Sequence, residues 1–126
     1  MEEHELSGSE LVIMRCIWGS QEDLSMQELM ETVKQRYGKD YKRTSIGTFI
    51  THMSEKGYVS TYRKGHLAFV HAEKTADEYR RKRAREETDD WFQGKASGYI
   101  AALFEENRIT EEEAEEIRRI LDGMGH

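Results

Sequence analysis

Thr44, Thr48 and Thr51 recur at the spacing of one helix face, with Ser45 and His52 beside them and Lys42-Arg43 ahead of them. Short hydroxyls and an imidazole behind a basic entrance suit contact with a base edge and the phosphate next to it. Opposite them, Ile46, Phe49, Ile50 and Met53 fall at i, i+3, i+4 and i+7, which makes one apolar stripe for burial. The stretch from Lys42 to Gly57 therefore predicts a short helix with one face packed and the other free, Gly57 acting as a left-handed stop. Taken alone, the pattern equally describes an ordinary surface helix with a Thr-rich outer side.

The residues after the helix narrow the choice. Tyr58–Tyr62 and Leu67–Ala72 alternate as strands, and Arg63-Lys64-Gly65-His66 joins them. A helix leading into a basic-tipped hairpin is the order of a winged helix, in which Arg63, Lys64 and His66 form a tip able to touch sugar–phosphate without reading sequence.

Other chemistries lack their residues. There is no phosphate-binding Gly-rich loop, nucleophile elbow or HExxH, and the acidic run Glu111–Glu116 is what the first turn of a helix favours. Neither His4, His52, His66, His71 and His126 nor the single Cys16 shows metal-ligand spacing. No catalytic residue, metal or cofactor is expected, and the chain is read as a non-enzyme. Cys16 lies in the apolar half of a helix, as a buried structural thiol would.

The 126 residues fit one domain or a domain with an appendage, and 37% apolar against 35% charged residues suits a small core beside solvated helices. The longest aliphatic run, Leu11–Met14, is far too short to span a bilayer, and the N-terminus MEEHEL is acidic, so a cytoplasmic protein without membrane contact is expected. The net charge of −6 hides a segregation: residues 1–33 carry −7, residues 34–85 carry +9 and residues 86–126 carry −8. The cationic middle is centred on the helix and hairpin, as a localised footprint for nucleic acid would be. A winged helix used only for protein–protein contact, without sequence-specific DNA binding, is the alternative that the acidic ends permit.

Around this centre the chain divides into a winged-helix domain over 1–74 and a helical region over 75–126. Ser7 with Glu10 and Ser25 with Glu28 read as capping boxes opening two helices. The first offers Leu11, Met14, Ile17 and Trp18 to the core, and the second offers Leu29, Met30 and Val33 before Gly38 stops it. Thr75 with Glu78 opens a long helix reaching about Gln93 and carrying Arg80-Arg81-Lys82-Arg83, a run more often solvated than bound. Beyond Gly94 come two shorter helices, the last capped by Thr110 and Glu113. Trp91, Phe92, Tyr99, Ile100, Leu103, Phe104, Ile117, Ile120 and Leu121 are more large apolar side chains than such helices can hide alone, so a two-fold homodimer through them is expected. The fold class expected is mainly α: a winged helix-turn-helix of three helices plus a β-hairpin wing, followed by a C-terminal helical dimerisation region.

The stretches LSGSELVIMRCIW, TSIGTFITHMSEKGYV and ITEEEAEEIRRILD, together with the aromatic-rich return strand, resemble the penicillinase and methicillin-resistance repressors (BlaI/MecI), whose group includes the copper-responsive CopY repressors. The resemblance covers nearly the whole chain. It implies a homodimeric transcriptional repressor on a palindromic double-stranded operator, with the third helix in the major groove and the C-terminal helices forming the dimer. It also implies derepression by a signal, which in the beta-lactam branch comes from a sensor protease cutting an Asn-Phe bond. That position reads Ala102-Leu103 here, no cysteine follows Cys16 to make the copper branch's Cys-x-Cys pairs, and Lys42-Arg43 replaces a frequent Ser-Pro.

Overall fold

The computed structural model describes residues 5–124, so His4 and His126 lie outside it. Its elements run α1 Gly8–Trp18, β1 Leu24–Ser25, α2 Met26–Tyr37, α3 Arg43–Glu55, β2 Val59–Lys64, β3 Leu67–Ala72, α4 Ala76–Phe92, α5 Ala96–Glu105 and α6 Glu111–Met124. This is a mainly helical chain with one small antiparallel sheet in the order β1-β3-β2, the winged-helix arrangement.

The helix starts are set by local chemistry. Ser7 Oγ accepts the Glu10 N–H at 3.2 Å while Glu10 Oε1 accepts the Ser7 N–H at 2.8 Å, and Ser25 and Glu28 repeat the exchange at 3.1 and 2.9 Å. Each box satisfies two backbone donors that the first turn leaves open. Gly38, at φ 67°, ends α2 in the left-handed conformation, and Gly57, at φ 83°, turns the chain from α3 into the hairpin.

Three helices and the sheet share one core. Ile13, Met14, Cys16 and Ile17 from α1 meet Met26, Leu29 and Val33 from α2 and Ile46, Ile50 and Met53 from α3, with Tyr58, Val59 and Val70 closing the cluster. Leu11 is only half-buried: the core stripe of α1 is turned to include Ile13, Cys16 and the carboxylate Glu10, which a reading that sends charges outward misses. Burial pushes the Cys16 thiol up, against the opposing pull of Arg36. Trp18 Nε1 donates to the Lys74 carbonyl at 2.8 Å, and its ring packs 5.4 Å from that of Tyr79.

The hairpin differs in detail from its sequence reading. Arg63 and Lys64 belong to β2, paired with Ala68 and Leu67, and the turn is the two-residue Gly65-His66, with Gly65 at φ 66°. A two-residue turn extends the ladder to its limit, so the basic residues stand on strand rather than loop. Tyr58 precedes β2 and is buried. The short β1 pairs Leu24 with Val70 and Ser25 with Phe69.

Contacts divide the chain into two units, one ending at Tyr79 and the other beginning at Arg80, within α4. The second contains the rest of α4 with α5 and α6, and none of these three helices carries a buried residue. Gln93 at φ 55° and Gly94 at φ 79° turn the chain from α4 into α5, and Phe92 packs on Tyr99 with centroids 5.1 Å apart. A Cβ on Gly98 would come within 3.1 Å of the Phe92 ring, so the glycine permits this approach.

Candidate nucleic-acid interface

The core stripe Ile46, Ile50 and Met53, with Phe49 half-buried against Tyr41, fixes the rotation of α3. Consequently Arg43, Thr44, Thr48, Thr51 and His52 are exposed together, Ser45 is half-buried at their edge, and Lys42 is exposed at the N-cap. Two of the hydroxyls are already engaged: Thr48 Oγ1 donates to the Thr44 carbonyl at 3.1 Å and Thr51 Oγ1 to the Gly47 carbonyl at 3.0 Å. Their protons are spent within the helix, so what they offer outward is an acceptor lone pair and a methyl group. That pairing matches the exocyclic amino groups of adenine and cytosine and the methyl of thymine. Gly47 lies on the same face with open space around it.

The other end of α3 is held by charge. Lys56, the C-cap, places Nζ 2.7 Å from Glu10 Oε1 and 2.8 Å from the Glu5 carbonyl, tying the end of α3 to the start of α1. Burial pushes the Glu10 carboxyl up, but the Lys56 ammonium and the Ser7 N–H outweigh it and hold it below its usual range.

In the hairpin, Arg63, Lys64 and His66 are all exposed. Arg63 Nη2 donates to the His66 carbonyl at 3.1 Å, bracing the turn. Strand alternation puts Arg63 and Lys64 on opposite faces, Lys64 sharing its face with Tyr62, Phe69 and His71. On that face Tyr62 stacks on Phe69 at 5.5 Å and 13°, and its hydroxyl donates to Asp23 Oδ2 at 2.7 Å. Asp23 Oδ1 lies 3.1 Å from His71 Nδ1. The bond from Tyr62, then that from His71, holds the Asp23 carboxyl below its usual range, while the Tyr62 phenol is pushed up by the same bond. The sequence reading missed this group: Asp23 and Tyr62 are 39 residues apart, and no periodicity links them.

The second unit carries the apolar set. Trp91 is 73% exposed, Phe104 67% and Ile120 61%; Ile100, Leu103 and Leu121 are exposed as well, whereas Phe92, Tyr99 and Ile117 are half-buried. Met124, which the sequence reading left out, is 74% exposed and follows Ile117 and Leu121 along one side of α6. Part of the basic run on α4 is engaged within its helix: Arg83 reaches Glu86 at 3.3 Å and Glu87 at 2.9 Å, and Lys82 stands 4.0 Å from Glu86. Ala102-Leu103 lies in the middle of α5.

Among the described residues no group of three His, Cys, Asp or Glu side chains is arranged to hold a metal ion, and no helix is long and apolar enough to cross a membrane. The model of the penicillinase repressor family matches residues 6–123. A penicillinase repressor from Staphylococcus aureus is 25% identical over 120 residues, a match that covers 95% of this chain and 93% of that protein. With a winged helix in the first unit and a family match that runs through both, the chain belongs to the penicillinase repressor family.

Proposed function

We propose that this protein is a transcriptional repressor that binds a palindromic operator as a homodimer and blocks transcription by occupancy, with no catalytic step of its own. The observation that carries the reading is the uncovered face of α3, where Arg43, Thr44, Thr48, Thr51 and His52 are exposed together within the chain's cationic segment. An α-helix fits the major groove, and acceptor-plus-methyl side chains there discriminate between base edges. Arg63, Lys64 and His66 supply sequence-independent contacts to the backbone.

The homodimer is supported by the second unit, whose Trp91, Phe104, Ile120, Leu121 and Met124 are each more than half exposed, large apolar side chains that a partner surface would cover. A two-fold pair would set two α3 helices about 34 Å apart, one turn of DNA. The name of the staphylococcal relative, a penicillinase repressor, agrees with this assignment. The test is fluorescence anisotropy of the full chain against duplexes drawn from a randomised pool, at two salt concentrations. Enrichment of an inverted repeat and an affinity that falls steeply with salt are expected. Failure to bind any duplex would overturn the reading.

A further inference from the structure

The outer pairs of the hairpin, Arg63 with Ala68 and Lys64 with Leu67, extend past the point where β1 reaches β3. Across the exposed face of the sheet, however, one carboxylate meets side chains from both hairpin strands. Asp23, in the segment leading into β1, receives the Tyr62 hydroxyl from β2 at 2.7 Å and faces His71 Nδ1 on β3 at 3.1 Å. Because Tyr62 is already laid flat on Phe69, its hydroxyl is presented with little further loss of rotational freedom. We propose that Asp23 is a positioning residue of the wing, a strap from the scaffold across β3 to β2 that sets the angle at which Lys64 and the turn meet a nucleic-acid backbone. This rests on the DNA-binding function proposed for α3 and the hairpin.

The alternative role for Asp23, a stray negative charge inside the cationic segment, makes the opposite forecast. Removing it would by charge alone tighten binding to DNA. Loss of a strap weakens binding, because a wing free to swing must be ordered again on each encounter. The sign of the effect therefore separates the two, and Tyr62→Phe supplies a variant that keeps the ring stack and changes no charge.

The experiment uses the full chain and a fluorescein-labelled mixed-sequence duplex of about 30 bp, because the wing contacts in question do not depend on sequence. Asp23→Ala and Tyr62→Phe are each expected to weaken binding by roughly three- to tenfold, and by less than about twofold when Arg63→Ala and Lys64→Ala are already present. Unchanged or tighter binding by both variants overturns the proposal. So does an equal loss with or without the wing charges, which would mean that the strap acts elsewhere in the fold. If the wild-type chain itself does not bind the duplex or any member of a randomised pool, the DNA-binding reading falls and this proposal falls with it.

Discussion

Lys56→Met removes the cation beside Glu10 while keeping most of the side-chain stem. Glu10 is 3% exposed and its Oε1 accepts from the Ser7 N–H at 2.8 Å and from Lys56 Nζ at 2.7 Å. Stranding a fully buried ion costs about 3–5 kcal/mol. Here the Lys56 side chain is 23% exposed, so water reaches the pair, and the Ser7 bond survives; the loss expected at pH 7 is about 1–3 kcal/mol. The pH dependence carries the sharper test. In the wild type the Glu10 carboxyl lies below its ordinary value of 4.5, so the pair's contribution is full above that value and disappears as pH falls through the lowered one. In the variant burial acts without Lys56 and favours the protonated acid, so acid relieves the stranded charge. Urea denaturation at a series of pH values from 7 to about 3 should show the gap between the two proteins narrowing as pH drops, at constant denaturant slope. A gap below about 0.5 kcal/mol at pH 7, or one that does not change with pH, would refute the account of this contact.

Thr48→Val keeps the methyl and removes the acceptor, so it should relax discrimination at one operator position by about 1–3 kcal/mol in a competition series of operator variants, leaving the fold intact. Arg63→Ala with Lys64→Ala should weaken all duplexes alike and lower the salt slope by about one to two phosphates per subunit, read by anisotropy. Ile117→Asp with Leu121→Asp places two charges in the open apolar stripe of α6 and should give a monomer in sedimentation equilibrium; a persisting dimer would put the interface elsewhere. Gly47→Ala adds a Cβ that meets nothing within 4 Å, so thermal unfolding should show a gain of up to about 1 kcal/mol from helix propensity.

Where structure is decided within four residues, the sequence was a sufficient guide. The capping boxes at Ser7, Ser25, Thr75 and Thr110 all form with the glutamate three residues on, because hydroxyl, carboxylate and backbone donors lie in reach of one another once a turn of helix exists. The stripe of α3 was legible for the same reason: Ile46, Ile50 and Met53 are buried as their spacing requires. Legibility failed where distant chain decided the outcome. Two residues of strand at Leu24–Ser25 have no period to read, and exist because Val70 and Phe69 offer them a ladder. Glu10 was legible only as the partner of Ser7 in a capping box; its burial and its cation were not, because Lys56 lies 46 residues away. Arg63 and Lys64 looked like loop because they are polar, yet a Gly-His turn carries the strands out to them.

The two tryptophans fall one in each unit and in opposite surroundings. Trp18 is half-buried, its indole N–H fixed to the Lys74 carbonyl and its ring against Tyr79, whereas Trp91 is 73% exposed. Intrinsic fluorescence therefore holds two independent reporters. Emission from Trp18 follows the integrity of the first unit, and emission from Trp91 follows whatever covers the second. In a Trp18→Phe chain, a blue shift that grows with protein concentration would track the covering of the apolar surface without any label, and a spectrum indifferent to concentration would show that surface still in water.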